Sequence, residues 1–545
     1  MHPRPAGPKN GREVEWQLAS TDLASVRRWL EQHETLDGLV LQPCSSLQIF
    51  DTYFDTDDWR IHRAGYALRI RSEAGKSEAT LKSLRSSSTE LADRRELSEA
   101  MDNPESESIG QLTGPVGSRV QAVSGAHPLQ PLFEVHTSRQ RYAVHAGDAA
   151  QQLGEIALDD TVISRPHGTP QTNIQRVEVE ALTGAHEPLQ TLVKALRNEC
   201  ALESASDSKY SQGLKSVGLA PASAPEFVPM GVDPSMQMDE IALANLRRYL
   251  SAWYLHEPGA RLGDDPEALH DLRVAGRRLD AILRQFQSYL PPAIVKVRPT
   301  LKKTLRTLGE ARDLDVALIE LETFRRELPE AERASVDPLR RHLESEREKA
   351  RAQMLHMLDS SAVQKGLETL TLALAQPAEP PAGPLPELAL TAASNLIRGR
   401  YKKVRKGAER LTSESSTEAF HAVRGQVKKF RYALEAVAVL FGKPADEMVR
   451  ALRRWQEKLG VQQDAEVASR RLQSLAAVPP QGMPPETLFS MGRLAAHYAA
   501  RASRARKRRD RAYRKVRSRW KALKMKLEQS SPARAPKLPS AGPAT

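Results

Sequence analysis

Cysteine is almost absent from this 545-residue chain: Cys44 and Cys200 are its only two, and they stand far apart. That excludes a disulfide framework, a thiolate zinc site and a cysteine redox pair, and it fits a reducing compartment. Long apolar runs are also missing. The best, YALEAVAVLF at 432–441, is too short to cross a bilayer and carries Glu435, and MHPRPAGPKNGR at the start lacks the apolar core of a signal peptide. The expected location is therefore the cytoplasm, with no membrane partner. No RNP, KH or helix-turn-helix pattern occurs, which counts against nucleic acid as a partner.

Length and charge describe what is there. A chain this long exceeds one ordinary domain and implies two or three, each able to bury a core. Residues 1–220 hold 23 Lys+Arg against 30 Asp+Glu, which leaves 57 against 38 of the totals 80 and 68 for the remainder. The first part is thus −7 and the rest +19. Two electrostatic tasks share one chain, and a polyanion is the natural partner of the second. A helical protein with a surface rich in arginine would show the same composition.

Residues 12–215 read mostly as strands, including REVEWQL, LQIFDTYFD, YALRIRSE, EATLKSL and QRVEVEALTG, with helical pattern only near 21–33 and 187–201. The stretch 219–235 is rich in Pro, Ala and Ser, has no period, and reads as a linker. From 236 to 526 apolar residues recur at three- and four-residue spacing, the pattern of an all-α domain. Pro-rich breaks fall at 376–386 and 478–485, and 528–545 reads as a disordered tail. The helical part repeats itself. LHDLRVAGRRL at 269–279 aligns with FHAVRGQVKKF at 420–430, and the same offset of 151 aligns LGEARDLDV at 308–316 with LGVQQDAEV at 459–467. Two separated motifs on one offset mark a tandem duplication, with halves at about 236–375 and 387–526.

Within the strands, charges alternate in pairs: Glu13/Glu15, Arg69/Arg71, Arg139/Arg141 and Glu178/Glu180. Each pair shares a face, because successive side chains in a strand point oppositely. The intervening residues Val14, Trp16, Val177 and Val179 are apolar. The apolar side must be covered and the charged side must line something wet, which a closed antiparallel barrel with a polar interior and outer helices provides. Carboxylates facing Arg and Lys in one cavity suit a divalent metal together with a polyphosphate. A sandwich with cross-strand salt bridges on its solvent face is the other arrangement that shows such pairs.

These residues resemble the CYTH family of triphosphate tunnel metalloenzymes over 12–216. The resemblance rests on Glu13-Val14-Glu15-Trp16-Gln17 against the family's ExExK, FDTDDWRIHRAGYALRIR at 54–71, TLK at 80–82, Asp159 in ALDD, Glu178 with Glu180, and SKY at 208–210. The helical part resembles the CHAD domain, whose signature is a pair of His-x-x-Arg helices with nearby Lys and Arg. Together they imply an α+β two-domain protein: an eight-stranded antiparallel β tunnel with flanking helices, then a duplicated helical bundle. The family likeness makes Glu13, Glu15, Glu178, Glu180 and Asp159 metal ligands for Mg²⁺ or Mn²⁺. It makes Glu13, Glu15, Lys82, Glu178 and Glu180 catalytic, and Arg69, Arg71, Lys82, Arg139, Arg141 and Lys209 the clamp on the phosphate chain. Arg94 or Arg95 with Glu96 resembles a later R-x-E strand of the family, with Ser98 where an acid is common.

In the helical part His270, Arg273 and Arg277 recur at i, i+3 and i+7, as do His421, Arg424 and Lys428, so each half carries a basic stripe. Arg278, Lys429 and Arg431 lie beside the stripes. Like charges along one helix face repel and call for an anion or for facing acids such as Asp313, Asp315 and Asp464. The CHAD resemblance implies inorganic polyphosphate as the anion, held by these residues, and association with polyphosphate granules. The segment 501–526 is the strongest basic run and contains Tyr513 and Trp520, which also fits RNA or DNA.

The expected function is metal-dependent hydrolysis of inorganic triphosphate or a related triphosphate, joined to polyphosphate binding. Adenylate cyclase and thiamine-triphosphatase activities occur in relatives of the tunnel fold. The alternative is a polyphosphate-binding scaffold with a weakened or inactive tunnel, because Gln17 replaces the family's Lys. Losing one charge-assisted phosphate contact removes about 1.5–3 kcal/mol, or one to two powers of ten in rate if it acts in the transition state.

Overall fold

The computed structural model describes residues 10–84, 91–125, 127–147, 151–182, 186–205, 207–221, 227–228, 230–375, 389–412 and 415–529. The side chains of 10–13, 91–94, 186 and 506–510 are outside that description. The break expected at 376–386 and the tail beyond 529 therefore lie outside the described residues, as does the side chain of Glu13.

Two compact units are distinguished. The first comprises the described residues up to 225 together with Leu255–Asp265, and the second comprises the rest. The first unit is built on β1 (Asn10–Ser20), β2 (Thr35–Leu36), β3 (Leu39–Pro43), β4 (Leu47–Asp55), β5 (Tyr66–Glu73), β6 (Lys76–Ser83), β7 (Leu91–Met101), β8 (Gln130–Ala146), β9 (Gln152–Ser164), β10 (Pro170–Ala181) and β11 (Glu203–Ser204). The antiparallel pairings run β8-β4-β5-β6-β7-β1-β10-β9, and β9 pairs in turn with β8. The hydrogen-bonded path of these eight strands thus returns on itself, as the expected tunnel requires. β3 continues along β8 beyond β4, β2 pairs with β3, and β11 pairs with β1. These extra strands bring the sheet to eleven. At two to five residues each, they are too short for a period of two to show in the sequence.

Alternation sorts the two faces. Trp16, Leu18, Ile156, Leu158, Val177 and Val179 point outward into one core with Val26, Leu30, Leu189, Leu192 and Leu196. Those partners come from helices Leu23–Gln32 and His186–Glu199, the two that the sequence pattern placed. A second outer core joins Leu68, Ile70, Leu81 and Leu97 to Val116, Val120 and Val123 of helix Pro115–Ser124. Glu99 of β7 accepts hydrogen bonds from the amides of Gly114, Val116 and Gly117, and so satisfies the exposed donors at that helix's start. This helix, Arg60–Arg63, Ser106–Ile109 and Lys209–Ser216 were not anticipated. The other three span about two turns or fewer, below the window in which a 3.6-residue period becomes legible, whereas Pro115–Ser124 equals Leu23–Gln32 in length but is written in Gly, Ser and β-branched Val, which are poorer helix formers.

Toward one end the inward face turns apolar. Tyr53, Ala67, Phe133, Val135, Ile163 and Ile174 pack there against Tyr210 and Leu214 of helix Lys209–Ser216. Gly213 lets that helix approach, since a Cβ there would come within 2.2 Å of the Phe133 ring. The plug seats Lys209 at the helix's first position, where Ser208 caps it by accepting from the Ser211 amide.

The second unit consists of long helices among the described residues. Adding 151 to the first residues of Met238–Leu262 and Pro266–Gln285 gives those of Ala389–Ala408 and Thr417–Val437, so the duplication sets helix starts as well as motifs. Among the described residues no helix is long and apolar enough to cross a membrane.

Candidate functional site

Register fixes which charges meet inside the barrel. Glu15 faces Glu180 and Gln17 faces Glu178 across β1 and β10. Glu180 faces Glu155, and Arg176 faces Asp159, across β10 and β9. Arg139 faces Asp159 across β8 and β9, Arg71 faces Asp51 across β4 and β5, and Lys82 faces Glu96 across β6 and β7. A cavity opens among them, lined by Glu15, Gln17, Arg69, Arg71, Lys82, Arg139, Glu178 and Lys209, with Tyr53 and Tyr210 toward the plug.

Each cation is held by an acid. Arg139 grips Asp159 with two hydrogen bonds of 2.7 Å and donates a third to Glu178 at 2.6 Å. Lys209 binds Asp159 as well and reaches Glu178 Oε1 at 3.0 Å. Burial pushes the Glu178 pKa up, but Lys209 and Arg139 outweigh it and hold the carboxyl well below the usual range. Arg71 grips Asp51 at 2.8 and 2.9 Å, and Arg69 lies 3.5 Å from the same carboxylate and 3.7 Å from Glu96. Burial raises the Asp51 pKa, yet Arg71 and Arg69 bring it down to about 2. Lys82 bridges Glu15 at 3.2 Å and Glu96 at 3.5 Å.

Gln17 is placed by its neighbours. Its amide nitrogen donates to Glu15 Oε1 at 2.8 Å, and its amide oxygen accepts from Arg176 at 3.4 Å. Arg176 is buried and also donates to the Asp207 carbonyl and to Gln212, both at 2.6 Å. A donor-only guanidinium on one side and an acceptor-only carboxylate on the other fix the orientation of the amide. Arg176 is thus a positioning residue behind Gln17 and not a member of the cavity lining.

The expected residues do not all gather. Glu15, Lys82, Arg69, Arg71, Arg139, Glu178 and Lys209 line the cavity. Arg141 lies further along β8, 3.5 Å from Glu155. Asp159 is fully buried beneath Arg139 and Lys209. In the R-x-E strand Glu96 points inward, so Arg95 points outward and pairs with Asp264 at 2.9 Å, while Ser98 bonds Thr80. Glu13 pairs by backbone with Arg94, and both side chains are outside the described residues. Asp51, Glu155 and Arg176 were missed. Only their cross-strand partners mark them. Among the described residues, the three metal-type ligands within 4.8 Å of one another are Asp57, Asp58 and His127, and Asp58 there is already paired with Arg60 and Arg63.

In the helical unit the two repeat motifs lock onto each other. A Cβ on Gly309 would stand 3.4 Å from the Arg273 guanidinium, and one on Gly460 3.1 Å from that of Arg424. Arg273 bonds the Gly309 carbonyl at 3.2 Å and lies 3.5 Å from Asp313, whereas Arg424 bonds Gln463 at 3.3 Å and lies 3.8 Å from Asp464. Of the other basic residues, Arg431 binds Glu435 at 2.5 Å and Arg278 approaches it at 3.9 Å. Asp315 is paired with Arg347. Burial, then Arg277, Arg424 and Arg431, push the Lys428 pKa down to about 8. His270 is half-buried and His421 exposed. Burial, with Arg312 next, lowers the His270 pKa. The aromatics of the basic run are half-buried against other rings: Trp520 stacks on Tyr401 at 3.7 Å, and Tyr513 lies against Trp455 at 4.7 Å.

Comparison with known proteins agrees with this division. The CYTH domain family matches residues 18–213 and the CHAD domain family residues 244–473. The uncharacterized protein MT2285 of Mycobacterium tuberculosis is 24% identical over 420 residues, covering 73% of this chain and 77% of that protein. The CHAD domain from the plant Ricinus communis is similar in structure over 55% of this chain and 96% of its own, at 26% identity and a TM-score of 0.43. HpAC1 from Hippeastrum, which reveals a dominant triphosphatase activity, is similar over 38% of this chain and 97% of its own, at 18% identity and a TM-score of 0.29. The chain therefore carries a CYTH domain followed by a CHAD domain.

Proposed function

We propose that the tunnel hydrolyses a phosphoanhydride bond of a triphosphate, inorganic triphosphate foremost, and that the helical unit binds inorganic polyphosphate. The observation that carries this reading is the cavity itself, where Arg69, Arg71, Lys82, Arg139 and Lys209 converge on one space. Five cations there match a chain of anionic phosphoryl groups, and guanidinium forks suit their oxygens. Lys82 and Lys209 are paired with Glu15 and Glu178 in the structure, so an entering triphosphate takes the two ammonium groups from those carboxylates and releases them.

The released acids fit a hard divalent cation. Glu15, Glu180 and Glu155 form a cross-strand row of oxygen donors, with Glu178 beside it, and Mg²⁺ or Mn²⁺ suits such donors. When bound, the metal supplies charge neutralisation on the phosphoryl oxygens. The chain's own residues do the rest. Arg69, Arg71 and Arg139 hold the substrate straight for in-line attack by water, and Lys82 and Lys209 stabilise charge passing to the leaving diphosphate. Asp51 and Asp159 anchor those arginines from behind.

Binding of polyphosphate, rather than of nucleic acid, is favoured by Trp520 and Tyr513, each already engaged with another ring of the helical unit. The scaffold alternative is weakened by Gln17, whose amide keeps a donor on Glu15. The test is phosphate release from inorganic triphosphate, ATP and long-chain polyphosphate, each with and without Mg²⁺, alongside competition of polyphosphate against RNA at fixed salt. Mg²⁺-dependent release, greatest from inorganic triphosphate, is expected. No release from any of the three would leave only the scaffold reading, and RNA displacing polyphosphate would overturn the binding reading.

A further inference from the structure

Arg176 is a buried cation held without a carboxylate. It is 3% exposed, and its three hydrogen bonds go to neutral oxygens: the Gln17 side chain at 3.4 Å, and the Asp207 carbonyl and the Gln212 side chain at 2.6 Å each. Among the described residues no carboxylate stands at ion-pair distance from it, whereas Arg69, Arg71, Lys82, Arg139 and Lys209 each have one. Burial pulls its pKa below the ordinary value, and Glu178 and Glu15 offset that only in part. A guanidinium buried without a counter-ion is costly. Its place in the fold is explained by what it holds.

The two terminal nitrogens serve different elements. One donates to both Asp207 and Gln212, which bracket Lys209 at the start of helix Lys209–Ser216. The other donates to Gln17 of β1, whose amide in turn donates to Glu15 at 2.8 Å. The chain entering the helix also runs along β1, where the Gln17 carbonyl accepts from the Ala205 amide at 2.9 Å. The Asp207 carboxylate is taken by Lys215 at 2.7 Å, which leaves the carbonyl for Arg176. A guanidinium is a planar fork with several N–H donors and reaches acceptors on two elements at once, whereas an ammonium is a point charge on a flexible stem. Arg176 itself rises from β10 two residues before Glu178, on the same face, and Lys209 reaches Glu178 at 3.0 Å. One side chain thus ties the lysine of the helix to the strands that carry Glu15 and Glu178.

We propose that Arg176 is the positioning residue for Lys209: it seats the start of helix Lys209–Ser216 against β1 and β10, and so fixes where the ammonium stands in the cavity relative to Glu15 and Glu178. Its effect on rate rests on the triphosphate-hydrolysing reading of the tunnel. Its effect on the place of Lys209 does not. Gln17 becomes the link through which the acid row and the lysine share one anchor.

Arg176→Met removes the fork, and Arg176→Lys keeps a charge without it. Arg165→Met is the control, because the exposed Arg165 donates to the Val217 carbonyl at 3.0 Å, just past the other end of the same helix. Each substitution is made in the full chain, alone and together with Lys209→Gln. Phosphate release from inorganic triphosphate with Mg²⁺ is measured, and acetylation of Lys209 without substrate is followed by mass spectrometry. Both Arg176 variants should lower kcat by about tenfold or more and Arg165→Met by less than about twofold. Beside Lys209→Gln the Arg176 substitutions should cost less than about threefold, since the group they position is already gone. Lys209, whose side chain is 12% exposed, should be acetylated about fivefold faster or more in Arg176→Met and at the wild-type rate in Arg165→Met. An undiminished loss beside Lys209→Gln, or Lys209 acetylated no faster in Arg176→Met than in the wild type, would overturn the assignment. If the wild type releases no phosphate, the hydrolysis reading fails and the acetylation rates alone decide the positioning. Arg176→Lys gives the same two readings should Arg176→Met misfold.

Discussion

Glu15 and Glu180 stand directly opposite each other on β1 and β10, and Glu180 stands opposite Glu155 on β9. Lys82 lies 3.2 Å from Glu15 and Arg141 3.5 Å from Glu155, and a divalent cation bound among the three carboxylates would add to that neutralisation. Mg²⁺ or Mn²⁺ should therefore raise the melting temperature of the wild type. In Glu180→Gln the metal-induced rise should shrink by at least half. Calorimetric scans with and without metal check this, and a metal-induced rise undiminished in Glu180→Gln would contradict it.

Asp51 ties two arginines to the tunnel wall. Its folded pKa of about 2 lies below the ordinary 3.8, so its contribution to stability is full above about pH 4 and is lost as pH falls toward 2. The difference corresponds to roughly 2 kcal/mol at neutral pH. Asp51→Asn should lose an amount of that order at pH 7, and its acid unfolding curve should flatten between pH 4 and 2. Urea titrations across that range are the check.

Gln17 holds Glu15 from one side while Arg176 holds Gln17 from the other. Removing the amide in Gln17→Ala should lower kcat by about tenfold, as expected for one lost hydrogen bond to a charged group. The melting temperature should barely move, because Arg176 keeps Asp207 and Gln212. Gln17→Lys puts an ammonium beside Arg176 and should also reduce activity. A gain in activity in Gln17→Lys would show that the amide is a defect and not a fitted part.

Lys428 has a folded pKa of about 8 against an ordinary 10.5. The unfolded chain then binds more protons between those values, so stability should rise as pH climbs from about 8 toward 10.5. In Lys428→Gln that rise should be reduced, and stability at pH 7 should increase while polyphosphate affinity falls. Melting curves between pH 7 and 10, with and without polyphosphate, decide it.

Much of this was legible in the chain because strands alternate. The acids and apolar residues of REVEWQL went to opposite faces, with Glu15 in the cavity and Trp16 and Leu18 in the outer core. Asp51, Glu155 and Arg176 were not legible, since a lone charge in a strand gets its meaning from a partner on another strand, and register is set by turns and packing. The basic stripes of the helical unit were visible at i, i+3 and i+7. Their inequality was not, because Glu435 neutralises Arg278 across two helices that are 151 residues apart in origin. The short helix Lys209–Ser216 is hidden by its length, although SKY stands at its start.

The central claim is that the tunnel cleaves a triphosphate. Phosphorus NMR of inorganic triphosphate incubated with Mg²⁺ follows every product at once, for the wild type and for Glu15→Gln. The account predicts orthophosphate and diphosphate appearing in equal amounts with the wild type, stopping on chelation of the metal, and slowed at least a hundredfold in Glu15→Gln. Unchanged triphosphate with a folded wild type, or equal rates for the two proteins, would contradict it.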